Sequence, residues 1–163
     1  MARARRLVAP LLLLVALTAA CSGKGTTKVD EQLLATPFEL LDGGTDTLGA
    51  HGGRPVLVNF FASWCAPCVA EMPDLEQVHQ EYRGRVDFIG LDTQEKADDG
   101  RKLVTRTGIS YPVGLDPDGE MFVAFKGLGM PTTVVLRADG TIAEVHSGAL
   151  TADKFRAMLA KVT

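Results

Sequence analysis

The run Pro55-Val56-Leu57-Val58-Asn59-Phe60-Phe61 leads directly into Ala62-Ser63-Trp64-Cys65-Ala66-Pro67-Cys68, and that junction constrains this chain more than any other stretch. The apolar run has the character of a buried strand. Beyond it, Met72, Leu75, Val78 and Tyr82 recur at spacings of three and four, the pattern of a helix. The two cysteines therefore stand where a strand hands over to a helix, Cys65 at the helix N-terminus and Cys68 one turn inside. Unpaired backbone N–H groups and the helix dipole favour a thiolate there. The thiolate is the nucleophile of thiol–disulfide exchange. Side chains three residues apart on a first helical turn can also meet and close a disulfide. The spacing predicts a redox site.

Other uses of a Cys-x-x-Cys pair fit less well. Structural zinc takes four ligands, yet the chain has no second Cys pair. His51, His79 and His146 show no ligand spacing. A purely structural disulfide across so small a ring would remove little entropy from the unfolded chain.

The N-terminus is a separate problem. Arg3, Arg5 and Arg6 form a positive region, Leu7 to Leu17 is apolar, and Thr18-Ala19-Ala20 puts small residues before Cys21. This is the pattern of a secretory signal, too short and wrongly flanked for a stable membrane span. Small residues directly before a cysteine resemble the bacterial lipobox, in which that thiol is diacylated. Thr18 stands where the motif most often has Leu. With Cys21 carrying lipid, the remaining cysteines form one self-sufficient pair. Residues 21–163 then form one tethered domain, with 1–20 as signal, 21–35 as tether and 36–163 as the folded part. Losing three arginines leaves 14 basic against 20 acidic residues. That balance gives no basic patch for nucleic acid.

Short strands are expected at Thr36 to Leu41 and after the Asp42-Gly43-Gly44 turn, then a loose helical turn from Leu48 to Gly53. The central strand is Arg54 to Phe61 and the site helix Ala66 to Tyr82, kinked at Pro73. Val86 to Leu91 is a second buried strand, and Glu95 to Thr107 a helix stopped by Gly108. A short extended piece at Tyr111 to Leu115 precedes a Pro117-Asp118-Gly119 turn and a helix from Glu120 to Lys126. Pro131 to Arg137 and Thr141 to Ser147 form a hairpin around Ala138-Asp139-Gly140. Thr151 caps a final helix that buries Phe155, Met158, Leu159 and Val162. The alternation predicts an α/β fold, a central mixed sheet with helices on both faces.

Strand, Trp-Cys-x-x-Cys, helix, the later Gly129-Met130-Pro131-Thr132-Thr133 and the Asp-Gly hairpin together resemble a thioredoxin fold. More closely, the chain is similar to the TlpA/ResA-like branch of exported, membrane-tethered thiol–disulfide oxidoreductases, from about Pro37 to the C-terminus. That resemblance implies an N-terminal β-hairpin (about Thr36 to Thr47) and a central insertion (about Leu91 to Leu115). Phe61 departs from it, standing where many relatives carry Trp.

Cys65, at the helix end, is expected to attack, and Cys68, more buried, to resolve the mixed disulfide. Ala66 and Pro67 add no charge. Trp64 is expected both to pack in the core and to form an apolar shoulder beside the sulfurs. The resemblance makes Pro131 a cis-proline whose loop meets the Cys pair, leaving the backbone of Met130 free to pair with an extended substrate. It also places an acidic residue at Glu71 near the thiols, where a partly desolvated carboxylate would accept the proton of Cys68 and raise thiol pKa values. A lone helical Glu is otherwise ordinarily solvated. Asp92 and His146 have no spacing that ties them to the cysteines.

The implied activity needs no bound cofactor and no metal. Its partners would be cysteine-containing exported proteins and a membrane electron-transfer protein, with the chain held outside the bacterial cell membrane by lipid. Similar proteins reduce apocytochrome c before haem attachment, reduce other exported proteins, or oxidise newly secreted ones. A thioredoxin-like Cu(I) carrier using His146 is a further reading, although such carriers usually space their cysteines by three residues. A peroxiredoxin-type peroxidase would want Thr or Ser where this chain has Ala62.

Overall fold

The computed structural model describes residues 29–163. The expected signal segment and Cys21 lie outside the described residues. The elements in chain order are α1 (Glu31–Ala35), β1 (Phe38–Glu39), β2 (Thr45–Asp46), β3 (Val56–Phe61), α2 (Ala66–Tyr82), β4 (Asp87–Thr93) and α3 (Ala97–Thr107). There follow β5 (Val113–Asp116), α4 (Glu120–Ala124), β6 (Thr132–Leu136), β7 (Ile142–Ser147) and α5 (Ala152–Leu159).

Five strands form the central sheet in the order β5-β4-β3-β6-β7. β3 pairs parallel with β4 and antiparallel with β6, so the sheet is mixed, as expected. Every residue of β3 is buried, and alternate side chains serve opposite faces of the sheet. Leu57 and Phe61 join the core beneath α2, α3 and α5, with Met72, Leu75, Leu103 and Phe155. Val56, Val58 and Phe60 join a second core against α4 and the N-terminal segment, with Met121, Phe125 and Phe38. Each such buried side chain contributes about 1.5–3 kcal/mol, which is why this strand tolerates so little polarity.

β1 and β2 form the expected N-terminal hairpin. The segment from Leu91 to Leu115 supplies α3 and leads into β5, which extends the sheet beyond β4. α3 ends at Gly108, whose φ of 70° is the left-handed conformation that glycine adopts at a helix C-terminus.

Two expectations change. Residues 31–35 were assigned to a tether, but they form α1, capped by Asp30 and preceded by the buried Val29. The packed part therefore reaches back before residue 36, because Leu33 and Leu34 pack against the second core. α2 spans Ala66–Tyr82, the expected bounds, with Pro73 inside it. Thr151 occupies the N-cap position of α5 without a side-chain cap bond; Asp74 on α2 accepts the Ala152 N–H at 3.2 Å instead. That bond crosses from one helix to another, out of reach of local capping rules.

Candidate active site

Cys65 is the N-cap residue of α2, and its Sγ accepts the Cys68 N–H at 3.3 Å. The two cysteines form a disulfide, with Cα atoms 5.3 Å apart. Cys65 retains 5% of its surface and Cys68 none, the order expected of an outer and an inner sulfur. No acidic residue lies in the first turn of α2, so nothing there offsets the positive helix end. Pro67 sits in that turn, where its missing N–H costs nothing.

Glu71 stands one turn beyond Cys68 and is 3% exposed, inside the core rather than on a solvated face. Two donors hold it. Asn59 Nδ2 donates to Oε1 at 2.9 Å, and the Leu150 backbone N–H donates to Oε2 at 2.8 Å. Burial dominates its titration and pushes the carboxyl up to about 7; the Leu150 and Asn59 bonds pull it down and the Asp74 charge raises it. A carboxyl poised near neutrality can take or return a proton at ordinary pH.

Asn59 was not singled out from the sequence, although a lone amide inside an apolar strand was the available signal. Its Nδ2 also donates to Thr133 Oγ1 at 3.2 Å on the neighbouring strand. Its Oδ1 has no partner among the described residues. Leu150 and Thr133 carried no such signal, since they act through chain positions far away in sequence.

The Met130–Pro131 peptide bond is cis, as the resemblance implied. Met130 is partly buried against the same core cluster to which Cys65 and Cys68 belong. The Pro131 carbonyl accepts the Gly148 N–H at 2.8 Å. Trp64 is corrected in one respect. It is 61% exposed, so it takes no part in the core and stands only as an apolar surface next to Cys65.

His146 lines a groove against α5 with Glu144, Lys154 and Met158. Among the described residues, no group of three or more His, Cys, Asp or Glu is placed to hold a metal, and His146 is not grouped with the cysteines. No helix among them is long and apolar enough to cross a membrane.

Residues 28–160 match the Redoxin family. The chain is 30% identical over 129 residues to the thiol-disulfide oxidoreductase ResA of Halalkalibacterium halodurans, covering 78% of this chain and 73% of that protein. Its fold is similar to that of MTB DsbF in its mixed oxidized and reduced forms, with TM-score 0.76 at 23% identity, over 83% of this chain and 99% of that one. It is also similar to a secreted thiol-disulfide isomerase from Corynebacterium glutamicum, with TM-score 0.71 at 26% identity, over 89% and 96% of the two chains. The chain belongs to the Redoxin family and is a ResA-like thiol–disulfide oxidoreductase of thioredoxin fold.

Proposed function

We propose that this protein works outside the cytoplasm, anchored through lipid on Cys21, and reduces disulfides in exported proteins. The observation that carries the direction is the buried carboxyl of Glu71, one turn from Cys68. A nearby carboxylate disfavours thiolate, and a less stable reduced pair is the better electron donor. The positive end of α2 acts the other way, so Glu71 sets the balance.

In the proposed cycle the Cys65 thiolate attacks a substrate disulfide sulfur. A mixed disulfide forms, and the first substrate sulfur leaves as a thiolate that takes a proton from solvent. Glu71 takes the proton of Cys68, whose thiolate attacks Cys65 Sγ and expels the second substrate sulfur, which takes up a proton. The substrate gains two electrons and Cys65–Cys68 becomes a disulfide. A membrane electron-transfer protein then returns two electrons. A lipid anchor keeps the two at high effective concentration. Trp64, Met130 and cis-Pro131 form the substrate-facing surface. Support for export comes from the N-terminal pattern and from the secreted isomerase that the fold resembles.

Trapping thiols in intact cells tests the direction. A mostly reduced Cys65–Cys68 pair is expected, with a potential closer to the roughly −270 mV of thioredoxin than to the roughly −120 mV of a dedicated oxidant. A mostly oxidised pair, with a potential well above about −200 mV, would reassign the protein as a secretory-protein oxidase.

A further inference from the structure

β4 carries Asp92, which is fully buried, and neither of its carboxyl oxygens has a hydrogen-bond donor among the described residues. It pairs with Phe61 in the parallel β3–β4 ladder, at the strand end that leads to Cys65. The carboxyl packs against α3. A Cβ built on Gly100 would overlap Asp92 Oδ2 and stand 2.7 Å from its Cγ, so a glycine inside this helix is what makes room for the acid.

Glu95, half-buried in the link from β4 to α3, accepts the Ser63 backbone N–H at 2.7 Å on Oε1 and the Ser63 hydroxyl on Oε2. Ser63 belongs to the short segment between β3 and Cys65. Glu95 thus holds the approach to the attacking sulfur from across 32 residues of sequence.

The Glu95 carboxyl acts on that of Asp92, and as two carboxylates they would offer each other acceptors only, in keeping with the lack of any donor to Asp92 among the described residues. One proton between them converts repulsion into a charge-assisted hydrogen bond in which the Asp92 O–H donates to Glu95. Burial first, then the bond to Glu95 and the charges of Glu95 and Asp99, hold the Asp92 carboxyl well above the ordinary carboxylate range.

We propose that Asp92 and Glu95 act as an acid pair sharing one proton, in which Asp92 locks Glu95 and Glu95 fixes the Ser63–Cys65 segment while keeping a negative charge at Ser63, two residues before Cys65. Both are positioning residues for disulfide exchange. The proposal rests on that activity and assigns it a second acidic control, acting through Ser63 just before the pair, whereas Glu71 follows the pair on α2. The charge works in the reducing direction, because it disfavours the Cys65 thiolate.

The test uses the full chain with Glu95→Gln, Asp92→Leu and Asp92→Asn. It reads the Cys65 thiol pKa by alkylation and the equilibrium of the pair with glutathione. Glu95→Gln keeps an acceptor for Ser63 but deletes the charge. The thiol pKa should fall, and the glutathione equilibrium should move about three- to tenfold toward the dithiol, the change that half to one pKa unit represents. Asp92→Leu removes the donor that locks Glu95 and should slow exchange with a model protein disulfide. Asp92→Asn, whose amide can donate to Glu95, should recover most of that loss. If Glu95→Gln moves melting temperature but neither thiol pKa nor the glutathione equilibrium, Glu95 is only a loop anchor and the proposal is overturned. That variant decides the matter even where Asp92→Leu does not fold. Failure of the wild type to reduce exported proteins concerns the reductase reading alone, because both readouts need only the Cys pair and glutathione.

Discussion

Glu71 Oε2 accepts the backbone N–H of Leu150 at 2.8 Å, joining the active-site helix to the segment between β7 and α5 across 79 residues of sequence. The bond gives a buried carboxyl one fixed donor, and Asn59 supplies the other. Two donors do not repay the loss of water, which is why the carboxyl still titrates near neutrality.

That balance makes Glu71→Gln a measurable change in pH dependence. The folded-state pKa of about 7 lies above the ordinary glutamate value of 4.5, so the native state binds this proton more tightly than the unfolded chain does. The group's stabilising contribution is complete below pH 4.5 and is lost as pH rises through about 7. At about 1.4 kcal/mol per unit, the loss is on the order of 3 kcal/mol. Gln cannot ionise. Urea unfolding of the oxidised proteins should therefore show the variant gaining on the wild type between pH 4.5 and pH 8 by up to that amount, with a lower Cys65 thiol pKa in the reduced variant. A stability difference that is flat with pH would make Glu71 a plain structural acceptor.

The sequence exposed the scaffold better than the chemistry. Val56 to Phe61 announced a strand buried on both faces because its alternate positions feed two cores, and the Cys pair marked where α2 begins. Burial of Glu71 was not legible, since it depends on Leu150 and on Asn59 of β3. The clamp of Glu95 on Ser63 escaped notice for the same reason: neither residue has a local pattern, and only the return of β4 alongside β3 brings them together. Trp64 failed in the opposite way. Its size suggested core, but its place just before the helix cap turns it outward.

The order of attack is tested by trapping. Cys65 is the less buried of the pair and caps α2, whereas Cys68 has no exposed surface. Cys68→Ala should accumulate a mixed disulfide on Cys65 with an oxidised protein substrate, detected by mass spectrometry. Adducts that accumulate on Cys68 in Cys65→Ala instead would reverse the two roles.

Anchoring is tested through Cys21. Burial of acyl chains contributes about 0.8 kcal/mol per CH₂, so two chains hold a protein to a bilayer where one does not. Cys21→Ser should release the protein from the membrane fraction into the soluble one. Recovery in membranes at the wild-type level, without detergent, would show that lipid on Cys21 is not the anchor.

Gly100→Ala should destabilise the fold, against the ordinary rule for helices. Alanine is favoured over glycine inside an exposed helix by about 1 kcal/mol. Gly100 lies within α3 but is buried, and its missing Cβ is the space taken by the Asp92 carboxyl. Adding a methyl group there forces Asp92 off its position or α3 away from β4. Overpacking of this kind costs about 1–3 kcal/mol, enough to outweigh the gain in helix propensity. Displacing Asp92 also releases its partner Glu95, so the Cys65 thiol pKa should shift together with the loss of stability. Chemical denaturation and thiol titration on the same variant check both parts. A Gly100→Ala protein as stable as the wild type would mean that α3 yields freely and that Asp92 is not held against it.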